Sequence, residues 1–282
     1  MRPDIPGALL LCLGVVRMWK KALLVLLALL LAGCGSGPAQ TVNLDGSTAM
    51  SGVMAVLQEA YRQREPEVRI NCSGSGSGAG IEGVLAGIID IGLSSRELTA
   101  EETARGAVGH VIALDGIAVI IHPDNPVQDL SRETLAEIFM GQVSRWAEVG
   151  GEDRPVAVYG REAGSGTRTA FEEALGVTDQ CAYTNEYCST GDVVGNVAAN
   201  PNAIGYVSLA AVGEAVKTVA VDGVSCGLDA VREGRYPICR PFLLVTKERA
   251  ALSEAAGAFL HFAESEEAEP YLTMAGTAAP ER

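Results

Sequence analysis

Three segments carry the residue types that hold a small anion: Gly46-Ser47-Thr48, Gly74-Ser75-Gly76-Ser77-Gly78-Ala79-Gly80 and Gly164-Ser165-Gly166-Thr167. Each follows an apolar run of strand character and precedes a segment with helical spacing. Free backbone N–H groups and hydroxyl donors therefore gather at a helix start, where the helix dipole also favours negative charge. Glycine lets the backbone approach a ligand closely. One such loop would be explained by Ser or Thr capping a helix. Three in one chain, the third preceded by Arg161 as a bidentate donor to an oxyanion, point to an anion site. The competing role for Arg161 is a surface ion pair with Glu162 or Glu172. Ser94, Ser95 and Arg96 close another apolar run, where open α/β sheets bind ligands. Trp146 and Tyr206 are candidates to line a cleft, against the commoner packing of aromatic side chains in a core.

The elements that must position these loops follow from periodicity. Strand patterns at 41–44, 68–71, 89–93, 156–159, 204–209 and 217–221 alternate with helical patterns. The helical patterns begin near Ala49, continue through Ile81, Val84, Leu85 and Ile88, and recur at 131–140, through Ala170, Phe171, Ala174 and Leu175, and at 192–199. The alternation predicts a mainly parallel α/β sheet. Two longer runs, 109–122 and 236–246, are long enough to cross between domains, which implies one domain built from both chain ends and another inserted between them. The chain closes with an amphipathic helix through Ala256, Phe259, Leu260 and Phe262 and a shorter piece around Tyr271.

Composition narrows the function. The chain has 282 residues, 48% hydrophobic and 20% charged, enough to bury a core. Its net charge is −14, and residues 1–33 hold Arg2, Arg17, Lys20 and Lys21 against Asp4, so the remainder is more acidic still. A general nucleic-acid binder needs the opposite sign. Any anion must then be held by local donors rather than by the global field. Gly78-Ala79-Gly80-Ile81-Glu82-Gly83 fits a dinucleotide fingerprint, but it is better explained as part of the longer Gly/Ser loop. No window fits the serine-hydrolase elbow GxSxG, and His110, His122 and His261 lie outside the motif loops, so no catalytic base presents itself.

The N-terminus reads as a targeting signal. Lys20 and Lys21 precede the apolar run 22–32, which ends in Leu31-Ala32-Gly33-Cys34 and resembles a lipoprotein signal peptide with its lipobox. The expectation is a signal peptide over 1–33, with the true start at Met18, lipid on Cys34, and a flexible tether over 34–40. Export puts the remaining cysteines in an oxidising compartment, where Cys181 with Cys188 and Cys226 with Cys239 are candidate disulfides. With no Cys-x-x-Cys and no nearby His, a zinc site is not expected.

Taken in order, Asp45-Gly46-Ser47-Thr48, Gly76-Ser77-Gly78-Ala79-Gly80, Asp90-Ile91-Gly92-Leu93-Ser94-Ser95-Arg96-Glu97, Asp115-Gly116-Ile117-Ala118-Val119, Arg161-Glu162-Ala163-Gly164-Ser165-Gly166-Thr167-Arg168, Asn202-Ala203-Ile204-Gly205-Tyr206 and Tyr236-Pro237-Ile238 resemble the phosphate-binding proteins of bacterial phosphate ABC importers. The resemblance runs from 41 to 276. It implies a type II periplasmic-binding-protein fold of two α/β lobes joined by a two-strand hinge, with 41–114 plus 240–282 as one lobe and 115–239 as the other. It implies a monomeric binding protein, not an enzyme and without cofactor or metal. Such a protein sits outside the cytoplasm on a lipid anchor, palmitate included, and delivers inorganic phosphate to an ABC permease and ATPase. Carried over by motif, Thr48, Ser77, Arg161, Ser165, Gly166 and Thr167 contact phosphate, with Ser47 as a helper and Ser95 at the position of the proton acceptor. Many members have Asp where Ser95 stands and Asp where Ala163 stands, which raises the question of how phosphate is separated from sulfate. Alternatives are a binder of another tetrahedral oxyanion such as sulfate or molybdate, or an adhesin or scavenger on the same fold.

Overall fold

Hydrophobic alternation builds the elements nearly as the spacing predicts, in a computed structural model that describes residues 40–280. The expected signal peptide, the lipidation site Cys34 and the tether up to residue 39 lie outside the described residues. Strand β1 (Gln40–Gly46) leads through a 3-10 turn (Thr48–Met50) into α1 (Ser51–Arg64). Then follow β2 (Val68–Cys72), α2 (Ser77–Leu85), β3 (Ile91–Ser94), α3 (Ala100–Ala104) and the long β4 (Ala107–Ile121). The middle of the chain holds β5 (Asp129–Leu130), α4 (Arg132–Phe139), β6 (Ala157–Arg161), α5 (Gly166–Leu175), β7 (Asn185–Tyr187), α6 (Thr190–Ala199), β8 (Ala203–Ser208), β9 (Lys217–Val221) and α7 (Leu228–Arg232). The chain returns through β10 (Cys239–Lys247) to α8 (Glu254–Glu264) and α9 (Glu269–Met274).

The strand order is β2-β1-β3-β10-β4-β8-β6-β7, with β9 beside β4 and β5. The sheet is mixed rather than mainly parallel. β1 pairs in parallel with β2 and β3, and β6 with β7 and β8. β4 and β10, the two long apolar runs, lie antiparallel to each other and to β3, β8 and β9. The cause lies in the order of the chain, which runs out along β4, through the segments between, and back along β10, so the two long strands pair in opposite directions.

Two hydrophobic cores divide the strands. One gathers Val42, Leu44, Met54, Leu57, Ile112, Phe242 and Phe259; the other gathers Ile117, Val119, Ile138, Phe139, Trp146, Phe171 and Tyr206. β4 serves both, its first half packing in the former core and its second half in the latter. Ala118 and Ile120 face a third cluster on the opposite side, so this half is buried on both faces and reads as an unbroken apolar run. Near its end the chain also rejoins β4, where Ala278 exchanges backbone hydrogen bonds with Leu114.

The two candidate disulfides are not formed: Cys181, Cys188, Cys226 and Cys239 are free thiols, as is Cys72. Cys239 Sγ donates to the Tyr236 carbonyl at 3.2 Å, while Cys226 packs against β4 at Gly116. Cys181 lies against the second core, and the extended β7 intervenes before Cys188. Burial pushes the Cys226 thiol up to about 12 and those of Cys181 and Cys239 up to about 11, so they stay protonated at neutral pH.

Where β4 and β10 cross, Arg240 faces Asp115 in register. Arg240 Nε and Nη2 donate to Asp115 Oδ2 at 3.0 and 2.8 Å, Ser208 Oγ donates to Asp115 Oδ1 at 2.8 Å, and both charged side chains are buried. Burial raises the Asp115 carboxyl against the pull of Arg240 and lowers the guanidinium, so desolvation is the larger effect on each. Breaking such a pair strands a charge in the interior. Asp115→Leu alone should therefore lower unfolding free energy in urea by about 3–5 kcal/mol, whereas Asp115→Leu with Arg240→Met should recover most of the loss. A single variant within about 1 kcal/mol of wild type would show that this pair does not organise the crossing.

Candidate functional site

The Gly/Ser loops are held by the strands that deliver them. Asp45, near the end of β1, accepts hydrogen bonds from the backbone N–H of Gly46 (2.8 Å) and Ser75 (3.0 Å) and from Ser75 Oγ (2.7 Å), and so ties the second loop to the first. α2 lies so close behind that a Cβ on Gly80 would stand 2.5 Å from the Asp45 carbonyl oxygen. Ser47 caps the 3-10 turn by accepting from Ala49 N–H, and Ser165 caps α5 by accepting from Arg168 N–H.

Three serine hydroxyls meet inside the molecule. Ser47 Oγ donates to Ser95 Oγ at 2.7 Å, Ser77 Oγ lies 3.4 Å from Ser95 Oγ, and Ser95 N–H donates to Ser77 Oγ at 3.1 Å. All three are buried. The third loop comes against them from the other core: a Cβ on Gly166 would sit 2.3 Å from Ser77 Oγ and 3.0 Å from Ser95 Oγ. Gly78 N–H donates to the Gly164 carbonyl at 3.2 Å across the same gap. Thr167 is 1% exposed, and its Oγ1 has no hydrogen-bond partner. It stands at the N-terminus of α5, where the first N–H groups also lack intrahelical acceptors.

Arg161 ends β6 and is 1% exposed, so it is not a surface residue. It does pair with Glu162, through Nη2 to Oε1 at 2.9 Å and Nε to Oε2 at 3.2 Å. The carbonyls of Tyr187 and Cys188 accept from Nε and Nη2 at 3.1 and 3.0 Å, and Nη1 donates to Thr190 Oγ1 at 3.1 Å. Of the five guanidinium hydrogens, one on Nη1 is left uncommitted. Glu162 is the carboxylate that pairs with this guanidinium. Glu172 instead accepts from Arg168 Nε at 2.8 Å.

The backbone of Arg161 is clamped as firmly. Its N–H donates to Tyr206 Oη (3.3 Å), which contacts Tyr183 Oη (2.9 Å), which donates to Glu172 Oε1 (2.9 Å); Glu172 holds Arg168, whose Nη1 returns to the Arg161 carbonyl at 3.0 Å. Burial raises both tyrosine hydroxyls well above their usual range, so the ring of hydrogen bonds stays protonated. Tyr206 also stacks on Phe171 with centroids 4.0 Å apart. It is thus a support for Arg161, and Trp146, whose Nε1 donates to the Asn202 carbonyl at 2.9 Å, is a core residue. Arg96 faces away into a bidentate pair with Glu102, at 2.7 and 2.9 Å.

The structure brings Ser47, Ser77 and Ser95 into contact with Gly166 close against them, links Arg161 to Thr48 through Thr190, and sets Ser165 and Thr167 on either side of Gly166 at the start of α5. Sequence reasoning missed Thr190, which lies between Arg161 and Thr48, and Arg240, whose Nη1 donates to the Ser95 carbonyl at 3.3 Å. Ser189-Thr190-Gly191 has the same Ser/Thr/Gly composition at a helix start as the other loops and could have marked Thr190. No comparable local signal marks Arg240.

Two α/β cores joined through crossing strands, with hydroxyls, helix N-termini and a buried arginine converging between them, define a two-lobed substrate-binding protein built for a small oxyanion. Residues 33–267 match the family described as PBP superfamily domain. The phosphate-binding protein of Bacillus subtilis (strain 168) is 31% identical over 211 residues, covering 70% of this chain and 67% of that protein. A putative phosphate ABC transporter substrate-binding protein from Clostridium perfringens, solved with bound phosphate, superposes with a TM-score of 0.83 at 36% identity, over 86% of this chain and 100% of that one. An ABC-type phosphate transport receptor from Vibrio cholerae gives a TM-score of 0.71 at 34% identity, over 85% and 100%. The chain belongs to the PBP superfamily and, within it, to the family of phosphate-binding proteins of phosphate ABC transporters.

Proposed function

We propose that this protein captures inorganic phosphate between its lobes outside the cytoplasm and delivers it to an ABC permease and ATPase, as a monomer held to the membrane by lipid on Cys34. The lobes are read as 41–114 plus 240–282 and 115–239, with β4 and β10 as the hinge. The observation that carries the reading is the Thr167 hydroxyl, a buried group without a protein partner at a helix N-terminus. A buried polar group left unsatisfied is costly, and an anion bound there would relieve it. The uncommitted hydrogen of Arg161 Nη1 and the hydroxyls of Thr48 and Ser77 would complete the donor set. Leu31-Ala32-Gly33-Cys34 supports the lipid anchor. Ser47, Ser95, Ser165 and Gly166 line the same site.

Selectivity follows from where the carboxylates are spent. Unlike sulfate, phosphate near neutral pH carries a proton, and an ionised carboxylate in the cleft would accept it while repelling sulfate. Asp45 holds the second loop, Asp90 accepts from Asn43 N–H, Glu162 faces Arg161 and Asp115 faces Arg240. Glu97 is exposed. Ser95 takes the acceptor position as a hydroxyl, so phosphate is preferred but sulfate is rejected only weakly.

Three outcomes test this reading. Losing a buried charge-assisted contact costs about 2–5 kcal/mol, so Arg161→Ala should weaken phosphate binding roughly 30-fold or more by calorimetry, and a change under threefold would return Arg161 to a structural role. Ser95→Asp should raise discrimination against sulfate by about 1–3 kcal/mol in competition calorimetry; complete exclusion of sulfate by wild type, with no gain in the variant, would place the acceptor elsewhere. Cys34→Ala should abolish acylation in intact-mass spectra of membrane fractions, and normally acylated protein would refute the anchor.

A further inference from the structure

Thr190 opens α6, yet it does not cap it. That task belongs to Ser189, whose side chain accepts from Asp192 N–H. The Thr190 side chain is free for other work, and it is buried at 3% exposure between two residues of the proposed phosphate site. Arg161 Nη1 donates to Thr190 Oγ1 at 3.1 Å. Thr190 N–H donates to Thr48 Oγ1 at 3.3 Å, and the two hydroxyl oxygens lie 3.3 Å apart. Thr48 follows β1 at the edge of the first core, whereas Arg161 ends β6 and Thr190 opens α6, which packs in the third cluster, so this chain of contacts joins elements of different cores.

The donors can be counted. Arg161 is a donor only, so Thr190 Oγ1 accepts in their contact and keeps its own proton to give to another oxygen. Thr48 Oγ1 is the oxygen in reach. Either hydroxyl could donate in that contact; with Thr190 as the donor, Thr48 Oγ1 accepts from both the N–H and the O–H of Thr190, and its own proton is left for a third partner. The guanidinium charge polarises the series in one direction, from Arg161 through Thr190 to Thr48.

We infer that Thr190 is a positioning residue of the anion site: it relays the charge of Arg161 through its hydroxyl, makes Thr48 a hydrogen-bond donor to the ligand, and fastens the two lobes across the bound anion. The inference rests on the phosphate-binding reading and assigns a role to a residue outside the Gly/Ser loops.

The test is phosphate calorimetry on the full chain as wild type, Thr190→Val, Thr190→Ser, Thr48→Val and the Thr48→Val/Thr190→Val double variant. Thr190→Val should weaken binding about tenfold, as expected for one buried hydrogen-bond step. Thr190→Ser should stay within about threefold of wild type because it keeps the hydroxyl. On the Thr48→Val background, adding Thr190→Val should change affinity by less than about twofold, since the relay has already lost its end. A purely structural Thr190 predicts instead that its loss is the same on both backgrounds, and that result overturns the proposal. So does Thr190→Val binding within twofold of wild type. Should Thr190→Val not fold, Thr190→Ala carries the same comparison. A wild-type chain that binds no phosphate would overturn the phosphate reading itself, whereas normal wild-type affinity with an indifferent Thr190 would overturn the relay alone.

Discussion

Arg161 is a guanidinium taken almost wholly out of water, and the organisation of the second core answers to that fact. An unpaired buried cation is prohibitively costly, so it must be surrounded by acceptors. The carbonyls of Tyr187 and Cys188 and the hydroxyl of Thr190, all from one stretch that begins at the end of β7, supply them together with the carboxylate of the neighbouring Glu162. A second set of groups, from Tyr206 through Tyr183, Glu172 and Arg168, fixes its backbone on both sides. A side chain so fully determined meets a ligand without reorganising, which is how a site gains affinity from preorganisation. It also explains how a chain of net charge −14 can take up an anion: the attraction is local, buried and directed rather than a property of the surface.

The first core contributes the opposite wall. Its hydroxyls are brought together by tight backbone approach, which is why glycine is needed where α2 meets β1 and where the third loop abuts Ser77. Between the walls run β4 and β10, locked at their crossing by Asp115 and Arg240. That pair also touches the Ser95 carbonyl, so the element that joins the lobes and the floor of the site share a hydrogen-bond network. The serine cluster sits directly against this pair through the Ser95 carbonyl.

Much of this was legible locally. The strand and helix alternation, the three loops and the two long crossing runs all rest on short-range periodicity and on Gly, Ser and Thr at helix starts. What the residues could not disclose depends on distant parts of the chain meeting. The antiparallel crossing follows from topology rather than from any strand's composition. The tyrosine ring beneath Arg161 and the Asp115–Arg240 pair join residues up to 125 positions apart. Thr190 was hidden because its helix was placed two residues too late, at Asp192, where periodicity begins but capping does not. The cysteines misled for the converse reason: closeness in sequence suggested disulfides, while β7 intervenes between one pair and the other pair engages Tyr236 and the strand at Gly116.

The most direct test of the central claim is a crystal structure of the protein grown with phosphate. The account predicts one phosphate between the lobes, accepting from Thr167 Oγ1, Arg161 Nη1 and the Ser77 and Thr48 hydroxyls, with Glu162 still on the guanidinium. A phosphate bound elsewhere, or a cleft in which Thr167 Oγ1 stays without a partner at saturating phosphate, would contradict it.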